Sequence, residues 1–137
     1  MSFVLGLLAL AGLNPASAPQ AAPAAQEAPD REVVDAARGF LTLVDAGRWE
    51  ESYRATGSSF QKLNTAKVWA DVSEKVRVPL GAVVSRTFLS QENLPAPPAG
   101  YEVVKFRTSF AGKADAVETV TLDREGGRWV VVGVTIG

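Results

Sequence analysis

Glu118 is the side chain that the sequence best places for chemistry. It stands in the run Ala116-Val117-Glu118-Thr119-Val120-Thr121-Leu122. Read with a period of two, Ala116, Glu118, Val120 and Leu122 share one face, and Val117, Thr119 and Thr121 share the other. The first set is the more apolar, so the pattern turns Glu118 toward a core. A carboxylate taken out of water needs a partner or a raised pKa. Arg86 and Arg107, on two earlier strand-like runs, are the candidate partners, and Arg86 alternates with Val84 and Phe88, which aims it inward too. The plain readings are a structural ion pair, or a register that leaves Glu118 outside. The sharper one is a pocket carboxylate that binds a polar ligand or abstracts a proton. Tyr53 or Tyr101 would then be the hydrogen-bond donor. The candidate catalytic set is thus Glu118, Tyr53 and Tyr101. The candidate ligand-binding set is Arg86, Arg107 and Glu118 with the rings of Trp69 and Phe106. The plainer reading of those rings is that they fill the interface between helices and sheet, with cavity lining as the alternative.

Other chemistry is excluded by inventory. The 137-residue chain has no histidine and no cysteine. It therefore has no Ser-His-Asp or Cys-His arrangement, no thiol nucleophile, no disulfide and no His/Cys zinc site. Without cysteine there is also no attachment point for a lipoprotein anchor. No Gly-rich phosphate loop precedes a helix, and Gly126-Gly127 reads as turn chemistry. Acids cluster only at Glu50-Glu51, on a solvated helix face, so no metal and no cofactor is expected. From Asp30 onward acids and bases are equal in number, and no Lys/Arg run occurs. Such a domain has no long-range field to attract a phosphate backbone, which argues against nucleic acid as a partner.

The elements that must position Glu118 follow from periodicity. Asp30 caps a helix whose Val33, Ala37, Phe40, Leu41 and Val44 form one stripe, and Gly47 ends it. A short second helix spans about Trp49 to Ala55, and Gly57-Ser58-Ser59 interrupts it. Asn64 or Thr65 caps a third helix that runs to about Arg77, with Val68, Trp69, Val72 and Val76 as its apolar stripe. Pro79 and Gly81 stop it. The period then changes to two. Strands are expected at Val83–Ser90, Tyr101–Phe110, Ala116–Asp123 and Trp129–Ile136. Val104, Phe106, Thr108 and Phe110 share one face of the second, and Val130, Val132, Val134 and Ile136 one face of the last. Asn93–Gly100 reads as a loop, Ala111-Gly112-Lys113 as a tight connection and Glu125-Gly126-Gly127 as a hairpin turn. The fold class is α+β: three N-terminal helices packed on a four-stranded antiparallel curved sheet, cone-like.

The N-terminus is of another kind. Phe3–Leu13 is an apolar run of eleven residues, where a membrane-spanning helix needs about 20. Small residues follow, with an A-x-A pattern at Ala16-Ser17-Ala18, as in a secretory signal. No Lys or Arg precedes the run, which departs from that pattern. Residues 1–25 are read as a signal peptide, 26–29 as a Pro/Ala linker and 30–137 as one domain. The expected location is periplasmic or secreted, with no stable membrane span once the signal is gone.

The segments FLTLVDAGRWEESY, VRVPLGAVVSRTF, AVETVTL and GGRWVVVGVTI together resemble the exported bacterial family called domain of unknown function 4019. The resemblance covers Val33 to Ile136 and is most specific from Arg77 through Arg86. By element order the domain is also similar to the nuclear-transport-factor-2-like (cystatin-like) cone. That superfamily includes ketosteroid isomerase, which uses an Asp base, and many non-catalytic binding and dimerisation domains. Fold analogy carries no function, and no catalytic residue transfers by motif.

The leading expectation is a non-catalytic domain that binds a small apolar ligand or a protein partner. An enzyme of the proton-transfer or dehydration type working from Glu118, and a structural module forming a homodimer through its sheet, are the alternatives. Deleting residues up to Ala28 is expected to leave a domain that melts at the temperature of the longer chain. A large fall in melting temperature would make that segment structural.

Overall fold

Helix α1 (Arg31–Asp45) starts at Asp30, whose carboxylate accepts the N–H groups of Glu32 and Val33 at 2.9 and 3.4 Å. All five residues of its expected stripe, Val33, Ala37, Phe40, Leu41 and Val44, are buried. Just past its end Gly47 takes a positive φ of 71°, the left-handed conformation that only glycine adopts freely. The computed structural model of the chain describes residues 30–96 and 100–137, so the expected signal and linker lie outside the described residues.

Three further helices follow where two were expected: α2 (Trp49–Arg54), α3 (Ser58–Leu63) and α4 (Ala66–Arg77). The extra helix is α3, and its cap comes from the other end of the domain. Glu125 accepts the Ser58 N–H at 3.1 Å and its hydroxyl at 2.9 Å. Those bonds hold the Glu125 carboxyl below its ordinary range, the backbone one first. A donor and acceptor 67 positions apart leave no local signal in Gly57-Ser58-Ser59. Helix α4 is capped by Thr65, as expected, whose Oγ1 accepts the Val68 N–H at 3.1 Å. A 3₁₀ turn (Val78–Leu80) closes the helical half.

The second half is one open antiparallel sheet in the order β1 (Val83–Leu94), β2 (Tyr101–Phe110), β3 (Lys113–Glu125), β4 (Arg128–Ile136). This is the expected meander. Strand β1 runs four residues beyond its expected end at Ser90 because Gln91, Glu92, Asn93 and Leu94 continue its pairing with β2. Gly126 and Gly127 have φ of 59° and 82°, the positive pair that a two-residue hairpin of type I′ requires.

The inner face carries Val104, Phe106, Thr108 and Phe110 from β2 and Ala116, Glu118, Val120 and Leu122 from β3, all buried. Helix α1 and Trp69 pack on it. Two expected faces are corrected by bulges. In β4, Thr121 pairs with Gly133 but Leu122 with Val131, so Val132 is the extra residue. Val131 takes the inward place with Val134, while Val130 and Val132 lie against Gly57. In β1 a register shift between Val83 and Ser85 leaves Val84 69% exposed, while Phe88 stays packed on the core and Arg86 stays inward.

The 3₁₀ turn and the β2–β3 hairpin press together at Gly112, whose N–H donates to the Leu80 carbonyl at 2.7 Å. A Cβ there would stand 2.8 Å from the Pro79 carbonyl oxygen and 3.0 Å from that of Leu80. Backbone atoms cannot swing aside. Gly112→Ala is therefore expected to cost about 1–3 kcal/mol in urea unfolding. Gly39→Ala, in α1 with nothing within 4 Å of the new Cβ, is expected to raise stability by about 0.5–1 kcal/mol. Equal effects at the two sites would refute the close approach.

Candidate functional site

Glu118 is fully buried, in the middle of β3, opposite Phe106 of β2 and Ile136 of β4. Its Oε1 accepts from Arg86 Nε at 2.8 Å and from the Thr108 hydroxyl at 2.5 Å. Its Oε2 lies 2.9 Å from Arg77 Nη1, at an angle that makes an ionic contact without a directed hydrogen bond. Arg86 turns the rest of its fork to Asp45, with Nη1 2.8 Å from Oδ2 and Nη2 3.1 Å from Oδ1. Arg77 Nη1 is 3.6 Å from Asp45 Oδ1. Two guanidiniums and two carboxylates thus close a neutral cluster.

Each corner comes from a different element. Asp45 is the last residue of α1, Arg77 the last of α4, Arg86 belongs to β1 and Glu118 to β3. Thr108 adds β2. A carboxylate at a helix C-terminus faces the negative end of the helix dipole, and the last turn of α1 has no basic residue of its own. Arg86 and Arg77 supply the compensation from outside. Burial by itself lowers the Arg86 pKa, but the hydrogen bonds to Asp45 and Glu118, with their negative charges, outweigh it and the net shift is upward.

The cluster corrects several sequence expectations. Arg86 does meet Glu118. Arg107 does not: it points to the exposed side of the sheet and pairs with Asp115 at 2.6 Å, because it alternates with the buried Phe106 and Thr108. The Tyr53 hydroxyl donates to the Asn64 carbonyl at 2.7 Å, tying α2 to the start of α4. Tyr101 pairs with Leu94 at the far end of β2, five residues from Phe106, which is about 16 Å along a strand. Neither tyrosine converges with Glu118. Trp69 is a core residue whose Nε1 donates to Ser52 Oγ at 2.9 Å. Phe106 is buried edge-on to Phe88, beneath the Arg38 guanidinium. Sequence reasoning missed Asp45 and Arg77. Arg77 had a signal: Trp69, Ser73 and Arg77 recur every four residues, one face of α4.

That face decides how α4 sits. Of the expected stripe only Trp69 is buried, together with Ser73; Val68, Val72 and Val76 are 47%, 52% and 47% exposed. The physical reason is that Arg77 must reach Glu118, which rolls the helix and leaves the valines half in water. Beside them runs a cleft of about 250 Å³ between α4 (Trp69, Val72, Ser73, Val76, Arg77) and the end of β4 (Val134, Thr135, Ile136). A broader depression of about 460 Å³ lies between α1 and β1, at Arg31, Val34, Asp35, Arg38 and Phe88. Among the described residues no group of three or more acids is placed to hold a metal ion. Among them, too, no helix is long and apolar enough to cross a membrane.

Fold and site together define an α+β domain in which helices and sheet are locked by one buried ion cluster. Residues 36–134 match a family model described as a protein of unknown function, DUF4019, and the chain belongs to that family. The match contains all five cluster residues, Asp45, Arg77, Arg86, Thr108 and Glu118. No curated protein matches the chain.

Removing one corner of the cluster leaves a buried charge uncompensated. Glu118→Ala and Arg86→Ala are each expected to cost about 3–5 kcal/mol in urea unfolding. Arg107→Ala, on the exposed side, is expected to cost about 0–1 kcal/mol. A Glu118 variant as stable as the parent would show that the cluster carries no such compensation.

Proposed function

We propose that this is an exported, non-catalytic domain that binds a protein partner through the groove between α4 and β4. The observation that carries the reading is the row Val68, Val72, Val76, each about half exposed, beside an apolar cleft. Contiguous apolar surface on a soluble domain marks an interaction site more often than isolated exposed residues do. The cleft, at about 250 Å³, falls below the range of about 300–1,000 Å³ in which small ligands are enclosed. It suits the side chains of a protein segment better than a sequestered small molecule. Catalysis from Glu118 finds less support. Its oxygens are engaged by two arginines and a threonine, and no tyrosine is in reach.

Export, to the periplasm or outside the cell, is supported by the apolar run Phe3–Leu13 and the small residues after it. The sheet with helices on one face agrees with the cone-like, nuclear-transport-factor-2-like arrangement, a fold on which binding and dimerisation domains are common.

A photo-crosslinking amino acid at Val72, compared with one at Thr87 on the exposed side of the sheet, tests the groove in the cells that make the protein. Protein adducts are expected at position 72 and not at 87. Equal labelling at the two positions, or none at 72, would overturn the reading.

A further inference from the structure

We infer that the occupant of the α4–β4 groove is a second copy of this chain, joined through the open edge of β4. The inference rests on the groove reading and adds the partner. Val117 and Gly137 exchange both backbone hydrogen bonds, at 3.0 and 2.9 Å. In an antiparallel ladder hydrogen-bonded and non-hydrogen-bonded pairs alternate. Ile136, opposite Glu118, and Val134, opposite Val120, are therefore the non-bonded positions. Their N–H and C=O groups point away from β3, out of the edge of the sheet.

The same edge is covered lower down. Val131 donates to the Ala55 carbonyl at 3.0 Å and accepts from the Gly57 N–H at 2.8 Å. Beyond Gly57 the chain turns into α3, and among the described residues nothing pairs with Val134 or Ile136 on that side. Natural edges are guarded by Pro, Lys, inward charges or bulges. The opposite edge, β1, carries two register shifts and the polar run Gln91-Glu92-Asn93 just before its last residue, Leu94. The open part of β4, beyond the bulge at Val132, reads Gly133-Val134-Thr135-Ile136 and has no Pro, no charge and no further bulge.

One symmetry operation satisfies both the open edge and the valine row. A two-fold axis perpendicular to the sheet, beside Val134–Ile136, pairs the two β4 edges antiparallel. It keeps both inner faces on the same side of the joined sheet. It sets α4 antiparallel to its counterpart, with the valine rows across the axis, which is the self-complementary arrangement of an isologous dimer. Asp71 already holds Lys67 of its own helix at 2.8 Å, so it brings no unpaired charge to the row. From Asp30 onward acids and bases balance, so two copies meet without net repulsion. The strand pairing is short, and the helix rows are what bring the buried area toward the roughly 800 Å² per partner of a stable interface.

Sedimentation velocity of the protein purified from its own cells, over a wide concentration range, tests this. A dimer is expected. Val72→Glu, a surface change that leaves the core untouched, is expected to weaken it by at least about tenfold. Val134→Pro deletes an N–H that β3 does not use and is expected to abolish pairing. Hydrogen exchange reads the same contact: the Val134 and Ile136 amides are protected in the parent and lose that protection in Val72→Glu, while the Val120 amide stays protected in both. A monomer at every concentration, or a dimer that both variants leave intact, overturns the inference. A monomer that still gives adducts at position 72 with a different protein refutes the second copy and keeps the groove. A monomer without adducts there refutes both.

Discussion

A carboxylate with no access to water, at the centre of an otherwise apolar sheet face, is the constraint to which the rest of this domain answers. Glu118 can be there only because Arg77, Arg86 and Thr108 surround it, and the two arginines are in turn balanced by Asp45. Such clusters seldom add net stability, since the desolvation of four charges offsets their attraction. What this one does is fix geometry. A guanidinium fork accepts carboxylates only in its own plane and at a fixed spacing. The ends of α1 and α4 are thereby held at set positions over β1 and β3.

The orientation of α4 follows from that. A helix that served only to cover the sheet would turn its apolar stripe down. This one turns Trp69, Ser73 and Arg77 down and leaves Val68, Val72 and Val76 at the surface. Hydrophobic burial of roughly half of three valines, of the order of 1 kcal/mol each, is forgone so that a buried carboxylate is not left bare, which would cost several times more. The half-exposed valine row is thus a consequence of the interior. The groove, the open end of β4 and the ion cluster are one arrangement seen from different sides.

The same coupling bears on catalysis from Glu118. A catalytic carboxylate needs a pocket that reaches it and a second group that shares the work. Here Arg77 stands between Glu118 and the cleft, touching one and lining the other. The tyrosines that could have donated a hydrogen bond are committed elsewhere or lie at the far end of β2. The DUF4019 match runs from α1 into β4, so the cluster lies in the part of the chain that defines the family.

The amino-acid sequence determined what depends on neighbours along the chain. The period of 3.6 up to Arg77 and of two after Ala82, the caps Asp30 and Thr65, the Gly126-Gly127 turn and the inward alternation of Ala116, Glu118, Val120 and Leu122 are all set within a few residues. That made the α+β class, the meander and the burial of Glu118 legible in advance. What needed the tertiary structure was whatever is supplied from afar. Glu125 caps α3 from the other end of the domain, a bulge at Val132 exchanges the faces of β4, and Arg77, not Arg107, compensates Glu118. Apolar patterning predicts which residues prefer burial. It cannot predict the roll of a helix when a charge at its end has a partner across the fold, because that preference is a single strong contact with no period.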